Sequence, residues 1–282
     1  MFRALSNMAA SSADRVDSIG RIKDVIRRLP LVERAQQLRY RRTFAGDCYG
    51  CFFGVYRTFD EARRAAPRTK HLGFDHRDYP SHHLDRMERI ESHDYPAMLW
   101  LRSALRPGAR VFDFGGNVGV SYYAYGRYIE YPEGLSWVVC EMPGMVDAGR
   151  AIAAKEGKKN LTFTEDASAA SGADVYFAAG VLQYIEGPPL AEVLARLAAK
   201  PRHVILNKLP LYDGEQFVTL QNSGAIVTPL YAFNRGDFVK AMERLSYRLI
   251  DSWDVPGYTC FVPFHPGKHV PVYSGLYFRL DG

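Results

Sequence analysis

Val111-Phe112-Asp113-Phe114-Gly115-Gly116-Asn117-Val118-Gly119-Val120 is the stretch that decides the fold. A short apolar run of strand length ends on an acid, a glycine loop follows, and a helical pattern opens behind it. Gly115, Gly116 and Gly119 permit positive φ and close backbone approach, and Asn117 is the residue that most readily replaces glycine in the left-handed region. A loop of this kind at the C-terminal end of a strand lies where open α/β sheets bind ligands.

Downstream, short apolar runs recur over 136–140, 161–164, 174–178, 203–207, 248–253 and 274–280. Helical stretches intervene over 122–131, 146–155, 190–199 and 235–245. Together with 110–114 this predicts βαβ units: an α/β, Rossmann-like, mostly parallel seven-stranded sheet with helices on both faces. The last two runs have no helix between them, which predicts a closing hairpin with one antiparallel strand. Upstream, Thr58 and Glu61 make a capping-box pattern, opening a helix that ends near Pro67. Residues 71–93 are polar and rich in histidine, and the spacing over 95–105 predicts a helix stopped by Pro107-Gly108. The expected division is an N-terminal, mainly helical cap over 1–93 and a sheet domain over 94–282.

The 282 residues are 47% hydrophobic and 24% charged, the balance of a globular chain long enough to bury a core. No apolar run approaches the roughly 18 residues that span a bilayer, and the start lacks the apolar segment of a secretory signal. The expected location is cytoplasmic. Lys and Arg number 36 against 31 Asp and Glu, a mild net charge of +5. Much of the excess lies between Arg21 and Arg42, where Ile22, Val25, Ile26 and Leu29 recur at helical spacing before Pro30 interrupts. This predicts an amphipathic helix docked on the main domain, with peripheral membrane contact through 21–42 as the alternative. Basic and aromatic residues interleave over 39–59, but no nucleic-acid module accompanies them, so no nucleic-acid partner is expected. Cys48-x-x-Cys51 has neither a second such pair nor a ligand-spaced histidine pair beside it, so no metal is expected and the cysteines read as ordinary thiols.

Two cofactor classes use a glycine loop. Dinucleotides need G-x-G-x-x-G, with pyrophosphate on the helix N-terminus; here the spacing is Gly115-x-Asn117-x-Gly119, and Val120 stands at the third position. Asp113 before the loop would repel pyrophosphate but can accept hydrogen bonds from an ammonium. S-adenosylmethionine carries an ammonium and a sulfonium, so the charge favours it. Glu141 ends the second strand, where a carboxylate can accept both ribose hydroxyls, and the third strand runs into Glu165-Asp166.

At these residues the sequence resembles the Rossmann-fold S-adenosylmethionine-dependent methyltransferases, whose loop reads D or E-x-G-x-G-x-G; Asn117 replaces the central glycine. The resemblance implies a cofactor held by Asp113, Gly115, Gly116, Asn117, Gly119, Glu141 and Gly180, with Asp166 toward the adenine amino group. Val181-Leu182-Gln183-Tyr184 resembles the segment lining the methyl-transfer site, which puts Gln183 and Tyr184 in the acceptor pocket. Many relatives carry His where Gln183 stands, and Gln cannot act as a general base. Residues 53–56, 94–96, 112–123, 182–186, 207–211, 218–222, 261–266 and 273–279 narrow the resemblance to a little-characterised bacterial family of methyltransferases often associated with cell-surface polysaccharide genes. It implies O-methylation of a small molecule or of a sugar in a glycan precursor.

A hydroxyl acceptor benefits from a general base. His265 is favoured because imidazole titrates near neutrality; Asp213, in the loop after the fifth strand, is the next candidate, ahead of Glu215 and His269. Lys208 ends that strand and is expected in the acceptor pocket. The long segment 210–233 is too apolar for disorder and reads as an acceptor lid that includes Tyr231. Two rivals stand beside this reading: a protein that holds S-adenosylmethionine without chemistry, which Gln183 suggests, and a nicotinamide-dependent oxidoreductase, which Asp113 and the loop spacing weaken.

Overall fold

The computed structural model describes residues 30–73 and 80–281. The chain divides into two compact units, Met1–Tyr49 and Gly50–Gly282. In the first, helix α1 (Pro30–Ala45) carries Arg34, Arg39, Arg41 and Arg42 against a single acid, Glu33. Pro30 opens this helix where the sequence pattern suggested an interruption; the first helical turn has no N–H to lose. The apolar repeat at 22–29 and the first twenty residues lie outside the described residues.

The second unit is built on a seven-stranded sheet of order β11-β14-β7-β6-β3-β4-β5. Its strands are β3 (Arg110–Phe114), β4 (Ser136–Cys140), β5 (Leu161–Thr164), β6 (Val175–Ala179), β7 (His203–Leu209), β11 (Tyr247–Val255) and β14 (Tyr273–Leu280). Strands β3 to β7 pair in parallel, and β14 runs antiparallel to both β7 and β11. The expected mostly parallel sheet with a closing hairpin is what the chain forms. Successive residues of β3 feed opposite cores. Val111 packs with Leu101 of α3 (Asp94–Ala104), Tyr125 of α4 (Val120–Tyr125) and Val146 of α5 (Pro143–Lys155). Phe112 packs with Leu194 of α6 (Leu190–Ala195) and Met242 of α7 (Arg235–Glu243). Helix α4 is shorter than the expected 122–131; it stops at Gly126, and the Tyr131 hydroxyl donates to the Tyr122 carbonyl at 2.7 Å.

A second, smaller sheet joins β1 (Phe52–Tyr56), β9 (Phe217–Asn222), β10 (Ile226–Asn234) and β2 (His71–Leu72), with β8 (Leu211–Tyr212) pairing the far end of β10. The segment expected as a lid is therefore mostly strand. Because β1 pairs antiparallel with β9 and β2 parallel with β10, residues 50–93 belong with the sheet domain. The boundary expected at 93/94, and a mainly helical cap up to it, are corrected: the division falls at 49/50. Within that stretch the Thr58 half of the capping box forms, while Glu61 Oε2 accepts from the Arg57 N–H at 2.9 Å. Thr58 Oγ1 accepts from the Glu61 N–H at 3.2 Å, opening α2 (Phe59–Ala65). A two-stranded hairpin of β12 (Cys260–Phe261) and β13 (His269–Val270) packs Val262 and Val270 with Tyr212, Phe217 and Tyr273.

Candidate functional site

Strand order reverses at β3: β4 and β5 lie on one side of it, β6 and β7 on the other. A crevice outside the C-terminal ends of β3 and β6 follows from that topology. The glycine loop occupies the β3 side. Gly115, Asn117 and Gly119 take φ of 69°, 54° and 91°, so Asn117 does occupy the left-handed region, its Oδ1 accepting from the Val118 N–H at 2.8 Å. Gly115 and Gly116 are required by the protein itself. A Cβ on Gly115 would lie 2.3 Å from a Val181 methyl, and one on Gly116 2.4 Å from Asp113 Oδ2.

Asp113 lies beneath the loop. It is fully buried, accepts from Trp137 Nε1 at 3.0 Å through Oδ2, and leaves Oδ1 buried without a hydrogen-bond partner. Burial pushes its carboxyl up to about 7, against the Trp137 N–H and aided by the charge of Glu141. Glu141, at the tip of β4, clamps the loop from the side: Oε1 accepts from the Asn117 N–H at 3.1 Å and Oε2 from the Met142 N–H at 2.9 Å. Burial raises this carboxyl too, opposed by those two N–H groups. Asp166, beyond β5, is exposed and caps a 3-10 turn (Ala167–Ala170), accepting from Ser168 N and Oγ at 2.8 and 2.7 Å. Those two bonds hold its carboxyl below the usual range.

On the β6 side, Gly180 (φ 74°) donates its N–H to the Asn207 carbonyl at 2.9 Å. Gln183 is buried in the 3-10 turn Leu182–Tyr184, with Oε1 unpartnered. The Tyr184 hydroxyl donates to Gln221 Oε1 of β9 at 2.7 Å, tying the crevice wall to the small sheet. Tyr231 is half-buried in β10 and packs its ring against Phe59, centroids 4.6 Å apart.

Next to Gly180 lies a polar cluster that sequence reasoning missed. Asn207 ends the pairing of β7 with β6 in full burial, its Nδ2 donating to the His93 carbonyl and to Asp94 Oδ1, both at 3.2 Å. Asp94 Oδ1 also accepts from the Tyr125 hydroxyl at 3.1 Å, and Oδ2 from the Glu91 N–H at 3.0 Å. Lys208 takes φ 62° and holds Nζ 3.8 Å from Asp94 Oδ1 and 5.6 Å from the Tyr258 ring centre. Burial lowers the Lys208 ammonium, opposed by Asp94; burial and then Lys208 lower the His93 imidazole. The one available signal was Asp94 at the start of a predicted helix directly after a histidine.

The two candidate bases lie in loops beyond the central strands. His265 stands in the loop between β12 and β13, its carbonyl accepting from the Lys268 N–H at 3.0 Å. Asp213 follows β8 with its side chain 92% exposed, 4.0 Å from Arg235 Nε; it is a solvated carboxylate and not an enclosed one. Asp213, Arg235, Tyr212 and His269 line a cavity of about 390 Å³. Cys48 and Cys51 are disulfide-bonded, which corrects their reading as ordinary thiols; Gly50 (φ 77°) makes the turn between them. Among the described residues no group of His, Cys, Asp and Glu is placed to hold a metal ion, and no helix is long and apolar enough to cross a membrane.

No family model and no curated protein matches the sequence. Solved structures with a similar course of chain include the mitomycin 7-O-methyltransferase, 17% identical, covering 67% of this chain and 54% of that one at a TM-score of 0.42. This chain thus spans about half the length of that enzyme. A S-adenosylmethionine-dependent methyltransferase from Aquifex aeolicus is 15% identical over 64% of this chain and 87% of that one, TM-score 0.43. The magnesium protoporphyrin IX methyltransferase from Synechocystis PCC 6803, with bound S-adenosylhomocysteine, is 15% identical over 66% and 81%, TM-score 0.42. At these scores the likeness carries no argument of its own.

Proposed function

We propose that this protein is an S-adenosylmethionine-dependent methyltransferase that methylates an oxygen of a small molecule or of a sugar within a glycan or its precursor. The observation that carries the reading is the glycine loop at the switch point, flanked by two carboxylates: Asp113 beneath it with a buried unpartnered Oδ1, and Glu141 beside it. That surrounding repels a pyrophosphate and suits a nucleoside whose other end is cationic. Asn117 and the neighbouring loop backbone would hold the methionine end. Glu141 retains acceptor capacity for ribose hydroxyls beyond its two N–H bonds, and Asp166 stands past β5 toward the adenine. Asp113 acts from below, through its charge and through the loop that it packs, because its side chain does not reach solvent. When bound, the cofactor supplies a methyl group activated on a sulfonium. The protein's share is to exclude water and to set the acceptor oxygen in line. The small sheet, fixed to the crevice wall by Tyr184 and Gln221, supplies the acceptor side.

Calorimetry with S-adenosylmethionine, S-adenosylhomocysteine and NAD tests this. The first two are expected to bind and NAD is not. Asp113→Asn should weaken S-adenosylmethionine by about 1–3 kcal/mol, the range for hydrogen bonds to charged groups, and leave NAD level or improved. NAD binding without S-adenosylmethionine binding would sink the proposal. Gln183, amide where a base would serve, favours one second reading, a protein that holds the cofactor without chemistry. Methyl release on a panel of glycan precursors separates the two.

A further inference from the structure

The polar cluster beside Gly180 has more donors and acceptors than bonds. Asp94 Oδ1 is its hub, already filled by Tyr125 and Asn207. Lys208 Nζ stops 3.8 Å from it and His93 Nε2 3.9 Å from it, both beyond hydrogen-bond reach. No acceptor among the described residues takes a hydrogen bond from Lys208 Nζ, although its side chain is only 16% exposed. His93 Nε2 is buried and unpartnered. A buried imidazole nitrogen left unsatisfied beside a carboxylate costs free energy that a hydrogen-bond partner would recover, and the Lys208 ammonium beside it has donors to spare.

The backbone holds this gap open. Lys208 is a non-glycine residue in the left-handed region, with its N–H on Asn207 Oδ1 at 3.1 Å. Trp253 Nε1 donates to that same oxygen at 3.2 Å, so Asn207 is fixed from both sides. The Lys208 stem runs along the end of β6: a Cβ on Gly180 would lie 3.5 Å from it. Gly180 is joined through Val181 to Gly115, so the gap adjoins the proposed methyl-donor crevice. The charged and titratable groups around it are Arg86, Glu91, Asp94, Lys208 and Tyr258. His93 Nδ1 lies 3.9 Å from Glu91 Oε2 and Nε2 3.9 Å from Asp94 Oδ1, so neither carboxylate fixes the tautomer; a neutral ring with its proton on Nδ1 presents Nε2 as an acceptor.

We infer that Lys208 Nζ and His93 Nε2, held around Asp94 Oδ1, form a receptor for a single hydroxyl oxygen of the acceptor, and that this receptor selects hydroxyl over amine acceptors. The inference rests on the crevice being the methyl-donor site. Lys208 donates to the oxygen. As the O–H bond breaks its proton goes to His93 Nε2, and the negative charge left on oxygen faces the ammonium. An amine acceptor would arrive protonated and meet the same ammonium with like charge.

Crystals of the full-length, cofactor-free protein soaked in methanol give a readout that needs no turnover. The expected result is an oxygen within about 3.2 Å of both Lys208 Nζ and His93 Nε2, lost in Lys208→Met. An empty gap, or Nζ bonded directly to Asp94, overturns the inference. In solution Lys208→Met should keep cofactor affinity within about twofold while transfer to hydroxyl acceptors falls about 10²–10³-fold, as when one donor to a developing oxyanion is removed. Transfer to an amino sugar in preference to its hydroxyl counterpart also overturns it. If the wild type binds no S-adenosylmethionine, the reading of the crevice fails, and the soaked crystals still decide the oxygen receptor by themselves.

Discussion

Asp113 concentrates burial and charge in one side chain. Its folded carboxyl holds a proton up to about 7, whereas an unfolded one releases it near 3.8. The folded state therefore binds the extra proton between those values, and stability falls as pH rises from about 4 to about 7 and stays flat above. Asp113→Asn should abolish that fall, leaving the variant more stable than wild type above pH 7 by up to the order of 4 kcal/mol. Denaturant titrations of both proteins at pH 4, 6 and 8 check it; parallel curves at all three would refute it. Glu141→Ala removes the clamp on Asn117 and the ribose acceptor together, so cofactor affinity should drop by about 2–4 kcal/mol, measured by calorimetry. Gly116→Ala places a methyl against the Asp113 carboxylate and should cost about 2–3 kcal/mol of stability through overpacking.

Elements were legible where only one period competes. Strands β3, β4 and β5 match the sequence reading residue for residue, because each is a short apolar run bounded by loop residues. The Thr58 cap on the Glu61 N–H was legible for the same local reason, and Thr58→Ala should lower stability by about 1 kcal/mol, seen as a small fall in Tm. Strands β9 and β10 were not legible. Five of the six residues of β9 are buried, which erases the alternation that marks a strand. Pro229 in β10 argued further against one. Among the described residues β2 pairs only with Ile226 and Val227, so none of them calls on the N–H that Pro229 lacks.

At the scale of the whole molecule, β1 is the edge that completes the small sheet. Removing residues 1–93 would strip β1 and β2 from β9 and β10, unpairing a backbone whose Val218 and Leu220 are fully buried. That truncation should be insoluble or lose its cooperative unfolding transition. A chain beginning at Gly50, with Cys51→Ser to avoid a lone thiol, should keep a cooperative transition and the cofactor affinity of the full chain. Equal behaviour of the two truncations, by thermal unfolding and sedimentation, would refute this division.

By itself the sequence determined the parallel sheet, the acids that follow its first strands and the glycine loop, because these depend on local periodicity and on the conformational freedom of a few residues. It also placed Asn117 in the left-handed region, since few other side chains tolerate it. Only the tertiary structure decided that Asp113 faces inward beneath Gly116, that residues 50–93 join the sheet domain, and that His93, Asp94 and Lys208 meet. Those contacts link β7 to a residue 113 positions earlier, as Asn207 to Asp94 does. Such pairings are fixed by which buried polar groups must share a hydrogen bond once the sheet has closed, and no local pattern in the chain encodes them.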